Sequence, residues 1–169
     1  MRKLIGLVVL SIAAVSARAD FNDGVVAYSM GEYQTAYNTM RSLAETADHG
    51  YAQYYVGMMY LNGQGVEQSF EDAGAWFLKA AEHSIPQAQF KLGQLYFNGQ
   101  GLPRDYERAY AWYRAGAAHK HTRSLEALTE AKSRLSAEEL REAEKLAEQL
   151  VRDYGPKVDA GEAVEIKPE

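Results

Sequence analysis

The sequence predicts an all-α fold, a solenoid of stacked antiparallel helix pairs closed by a C-terminal capping helix. Three observations carry this. Residues 52–87 are followed without a gap by a second copy of themselves, 88–123, with 14 identities in 36 positions. Each copy holds two apolar-periodic stretches divided by the same Asn-Gly-Gln-Gly block, at 62–65 and at 98–101. Beyond the second copy, residues 137–153 carry one apolar stripe between charged flanks. A fixed period of roughly 20 to 50 residues marks an architecture in which each unit buries its apolar face only against its neighbours.

At the N-terminus, Arg2 and Lys3 precede an apolar run from Leu4 to Val15, broken only by Gly6 and Ser11 and followed by Ala17-Arg18-Ala19. This pattern reads as a secretory signal peptide over residues 1–19, cleaved after Ala19. The run is shorter than the roughly 20 residues a membrane-spanning helix needs, so no membrane insertion is expected after cleavage. Without Arg2, Lys3 and Arg18, 15 basic residues face 23 acidic ones, a formal charge of -8. That balance argues against nucleic acid and against an anionic membrane surface as partners. The absence of cysteine leaves an exported fold to packing alone, without disulfides, metal thiolates or a thiol nucleophile.

Residues 20–51 read as a degenerate N-terminal repeat: Gly31-Glu32-Tyr33-Gln34-Thr35-Ala36 and Leu43-Ala44-Glu45 resemble the second half of a unit. In the first full unit, 52–87, Ala52, Val56 and Tyr60 recur along one side of a helix, and Gly57 leaves room for a neighbouring helix. Gly63 is placed to end that helix in the left-handed conformation. Ser69 is placed to cap the next, on which Phe70, Ala73, Trp76, Phe77, Ala80 and Ala81 form the apolar face. In the second unit, 88–123, Asp105 takes the capping position. Residues 124–154 are expected to form C-terminal capping helices; Ser136 and Glu139 make a capping box ahead of Leu140, Ala143, Leu146, Ala147, Leu150 and Val151. Residues 155–169, with two prolines and two glycines among charges, read as a disordered tail.

The matched residues also carry a family resemblance. The order Ala-x4-Gly-x2-Tyr-x2-Gly-x-Gly, then Ala-x2-Trp and a small pair, resembles the Sel-one-like repeat, a longer-looped relative of the tetratricopeptide repeat. The resemblance implies a right-handed α-solenoid that acts as a non-enzymatic adaptor. It also implies an exported bacterial protein associated with envelope regulation, surface assembly or control of cell-wall enzymes. A periplasmic or envelope protein in the Gram-negative periplasm is the expected partner.

Within a repeat scaffold the inner helices line a concave surface, and the residues left over after the core is assigned are those that meet a partner. Tyr55, Met58 and Asn62 share one side of their helix, roughly opposite Val56, and Lys91, Gln94 and Asn98 are their copies. These six form the candidate partner strip, with Tyr55 as the expected anchor. A packing role for Tyr55 and Met58 against the adjacent unit is the competing reading.

Groups suited to chemistry find ordinary structural roles. His83 and His119 stand one period apart at the ends of second helices, where the negative helix terminus favours an imidazolium. His119 and His121 lack further ligands for zinc. The pairs Glu71-Asp72 and Glu138-Glu139 fall in first turns, where they offset the helix dipole. No catalytic signature, cofactor loop or metal set is expected. A carbohydrate or peptidoglycan binder is the runner-up function, suggested by the aromatic content of 5 Phe, 2 Trp and 12 Tyr. A cell-wall hydrolase ranks third. A stacking platform needs exposed rings, whereas Trp76 and Trp112 are both expected in the core.

Overall fold

The computed structural model describes residues 20–157, and these form eight helices and no strand. The first, α1, is described over residues 20–29. It is followed by α2 (Tyr33–Thr46), α3 (Gly50–Asn62), α4 (Phe70–Glu82), α5 (Pro86–Asn98), α6 (Tyr106–Ala118), α7 (Thr122–Ser133) and α8 (Ala137–Tyr154). The signal-peptide assignment and most of the tail assignment lie outside the described residues.

Helix ends follow local chemistry. Ser69 Oγ accepts the Asp72 N–H at 3.1 Å, and Asp105 Oδ1 accepts the Arg108 N–H at 2.9 Å. Each satisfies a backbone donor that a helix start leaves free. Ser136 and Glu139 complete a reciprocal capping box at the head of α8. At the other ends of α3 and α5, Gly63 and Gly99 adopt φ of 66° and 68°, the left-handed geometry that a side chain resists.

Consecutive helices pack against each other from α2 to α7, so the pairs α3/α4 and α5/α6 stack as repeat units. Close approach within each pair depends on one glycine. A Cβ on Gly57 would stand 2.7 Å from the Phe77 ring, and one on Gly93 would stand 2.6 Å from the Tyr113 ring. The core divides into an N-terminal cluster around Met40, Val56 and Met59 and a larger one around Phe77, Leu92, Trp112 and Tyr113. The capping helix α8 lies on α6, with a lighter contact to α4, rather than on α7. Its buried Ala143, Ala147 and Leu150 therefore close the outer side of the second unit.

One core assignment is corrected. Trp112 is 6% exposed and stacks on Tyr154 with ring centroids 6.0 Å apart. Trp76, its copy, is only half-buried, packs at the edge of the N-terminal cluster, and carries the Lys79 ammonium 4.3 Å from its ring centroid. The two positions differ because α8 covers the outer side of α6, and its last residue, Tyr154, covers Trp112.

Candidate functional site

The six candidate strip residues divide between α3 and α5. On α5, Lys91, Gln94 and Asn98 follow one another at spacings of three and four along one helix side, and all line a single groove. The opposite wall comes from α7, where Arg123, Glu126 and Glu130 repeat the same spacing. Phe90, Phe97, Tyr113 and Ala127 form the apolar floor, and the groove measures about 550 Å³. On α3, Met58 is half-buried and packs against the larger core. Tyr55 turns toward α1: its ring lies 5.3 Å from Tyr28, 6.0 Å from Phe21 and 5.8 Å from Tyr54, centroid to centroid. Much of its surface therefore serves packing between units. Asn62 and Asn98 make the same contact in each unit, donating to Gln64 Oε1 at 3.2 Å and to Gln100 Oε1 at 3.3 Å.

The groove is electrically polarised. Arg123 stands in the first turn of α7, where the helix terminus is itself positive, and Lys91 stands in the second turn of α5. Among the described residues, neither is part of an ion pair within 4.0 Å. Burial, then the nearby Arg123 guanidinium, holds the Lys91 ammonium below the usual lysine range. The same two causes lower His121. Burial is also the main reason that Tyr54 is raised; Tyr55 and Tyr28 add to it and Arg123 opposes it. Further along the groove the charge reverses: burial, then Glu130, raises the Tyr113 phenol, and Glu130 lies 3.8 Å from Arg134.

Arg123, Glu126 and Glu130 escaped the sequence reading. Arg123 was counted as the last residue of the second copy, and α7 lacks the glycine and tryptophan marks of a unit. The i, i+3, i+7 spacing of the three is the signal that was present.

The histidines are committed locally. His119 Nε2 lies 3.0 Å from the Tyr154 carbonyl oxygen, and His121 Nδ1 lies 2.9 Å from Ser124 Oγ. His83 Nε2 lies 3.2 Å from Asp48 Oδ1, and His49 Nδ1 accepts the Ala52 N–H at 3.2 Å. Among the described residues, no three His, Asp or Glu side chains gather as a metal set. No helix among them is long and apolar enough to cross a membrane.

Comparison with known proteins agrees with this architecture. The Sel1 repeat family model matches residues 50–84 and 86–121, the stretches that contain α3/α4 and α5/α6. No curated protein matches the sequence. Among solved structures, the chain is similar to a protective antigen present in uropathogenic Escherichia coli strains and displaying an SLR fold. The TM-score is 0.79 at 29% identity, over 90% of this chain and 35% of that one. It is also similar to a Sel1 repeat protein from Oxalobacter formigenes, with a TM-score of 0.61 at 28% identity, over 77% of this chain and 55% of that one. The chain thus spans about a third and about half of the lengths of these two proteins. Sel1 repeats are protein-interaction modules. With two tandem matches on two stacked helix pairs, the chain carries two Sel1 repeats within an α-solenoid fold.

Proposed function

We propose that this chain is a non-enzymatic adaptor of the bacterial periplasm that binds one partner protein through its inner helices, chiefly in the groove between α5 and α7. The groove itself is the observation that carries the reading. It joins an apolar floor to polar and charged walls that the fold leaves available, and interaction surfaces pair an apolar centre with a polar rim in this way. The periplasmic assignment rests on Arg2, Lys3, the apolar run 4–15 and the Ala17-Arg18-Ala19 site.

The carbohydrate reading gains little support from the half-buried Trp76. Its ring already carries the Lys79 ammonium, and Trp112 is enclosed. A stacking platform needs a free ring face, which neither tryptophan offers.

The test is affinity capture from a periplasmic extract with identification by mass spectrometry, comparing the parent chain with Gln94→Tyr. The added bulk obstructs the groove from a half-buried position on α5. The expected outcome is that one protein, recovered reproducibly by the parent, is lost from a variant whose circular dichroism is unchanged. Equal recovery by both would move the site away from α5.

A further inference from the structure

Lys91 and Arg123 face one groove from α5 and α7, and among the described residues neither meets a carboxylate within 4.0 Å. Lys91 is half-buried and Arg123 is exposed; two like charges in one groove repel each other, and a carboxylate set between them relieves both. The lowered proton affinity of Lys91, caused by burial and then by Arg123, is the signature of that unrelieved charge. No carboxylate of the chain enters the causes of that shift, although Glu126 and Glu130 line the same groove.

We propose that the end of the groove formed by Lys91 and Arg123 is a carboxylate seat for an extended, acidic segment of the partner protein. The proposal rests on the inner-helix reading above and adds the chemistry of what is bound. The amides of Gln94 and Asn98 lie further along the same wall, suited to the backbone N–H and C=O groups of an extended chain.

The opposite sign at the other end gives the segment a direction. Arg123 and Glu130 are seven residues apart on α7, about 10.5 Å along a helix rising 1.5 Å per residue. An extended chain covers that distance in about three residues. A segment with an acidic residue and a basic residue about three positions apart therefore meets both ends, its carboxylate at Lys91 and Arg123 and its cation at Glu126 and Glu130.

The experiment probes arrays of randomised octapeptides with the full chain. In one array a fixed Glu and a fixed Lys stand three apart, in both orders; in a second, Gln replaces the Glu; in a third, Gln replaces the Lys. The expected result is at least tenfold stronger binding to Glu-containing peptides than to their Gln counterparts at low salt. That preference is lost in Lys91→Gln/Arg123→Gln, and the preference for Lys is lost in Glu126→Gln/Glu130→Gln. Equal binding to the Glu and Gln arrays, or a carboxylate preference that survives the double charge variant, overturns the seat. So does the absence of binding to any array. If the 158–169 peptide of this chain outcompetes every array member, the occupant is the chain's own acidic segment and the external partner falls. The obstructed Gln94→Tyr variant separates the two claims: loss of the native partner there, with full retention by Lys91→Gln/Arg123→Gln, keeps the inner-helix reading and rejects the carboxylate seat.

Discussion

The Gln89 side chain donates its amide to the Tyr154 carbonyl oxygen at 2.8 Å, across 65 residues of sequence, and to the Ala81 carbonyl oxygen at 3.2 Å. One fully buried side chain thus joins the last residue of α8 to the last turn of α4. Its copy in the first unit, Gln53, is equally buried but spends its amide on Asp48 at 2.6 Å. The same residue at the same position therefore closes a local turn in one unit and anchors the capping helix in the other.

Gln89→Ala should destabilise by about 1 to 3 kcal/mol, the loss of two hydrogen bonds from a buried side chain at roughly 0.5 to 1.5 kcal/mol each. Gln89→Glu should be worse at neutral pH, because its carboxylate would face two carbonyl oxygens. Such a carboxyl binds its proton more tightly in the folded chain than in the unfolded one, so the stability of the variant falls as pH rises through the folded value and partly recovers on acidification. Thermal melts of both variants between pH 4 and pH 8 check this. A Gln89→Glu melting curve parallel to the parent's across that range contradicts it.

The two tryptophans should separate in their response to truncation. Trp112→Ala should cost about 3 to 5 kcal/mol, as for a large buried aromatic. Trp76→Ala should cost clearly less, because the ring is only half-buried and its Lys79 contact is worth only about 0.5 to 1 kcal/mol at such a site. Chemical denaturation of the two variants gives the ratio directly, and equal losses would contradict the exposure difference between the units.

Gly57→Ala and Gly93→Ala place a methyl group against the rings of Phe77 and Tyr113. Overpacking of this kind costs about 1 to 3 kcal/mol despite alanine's better helix propensity. Pairing Gly93→Ala with Tyr113→Leu should recover part of the loss by removing the ring edge that the methyl group strikes. The double-mutant cycle by denaturant titration measures that coupling, and a purely additive pair would show that the glycine is not there for the approach of α6.

The repeat was legible because its marks are backbone and packing requirements. Gly63 and Gly99 are needed for a left-handed residue, Gly57 and Gly93 for a close helix approach, and Ser69 and Asp105 for a free N–H. Each such demand permits few residue types and so leaves a trace in one sequence. The groove was legible only by half. Lys91, Gln94 and Asn98 were found because they are copies of Tyr55, Met58 and Asn62, but their facing wall on α7 begins at the last residue of the second copy and continues beyond it. Nor could the sequence show that α8 crosses to α6. An amphipathic stripe states that a helix is buried on one side and leaves open what covers it. The exposure of Trp76 follows from the same gap, since the difference between it and Trp112 lies in the placement of α8 and Tyr154.

Lys91 offers the sharpest check on the carboxylate seat in the unbound protein. Burial and Arg123 hold its ammonium below the usual lysine range in the folded chain, so the unfolded chain binds that proton more tightly. Stability then rises with pH between the folded value and the ordinary value near about 10.4, and at neutral pH the full cost of the charge is present. Lys91→Met keeps the apolar stem and removes the charge. Its melting temperature at pH 7 should therefore equal or exceed the parent's, and any advantage should shrink as the pH is raised toward the lysine range. Arg123→Gln should move the parent in the same direction by removing the second cause of the shift. A Lys91→Met variant clearly less stable at pH 7 would mean that the ammonium is already satisfied within the fold, and an ammonium satisfied in the free protein has no need of a partner's carboxylate.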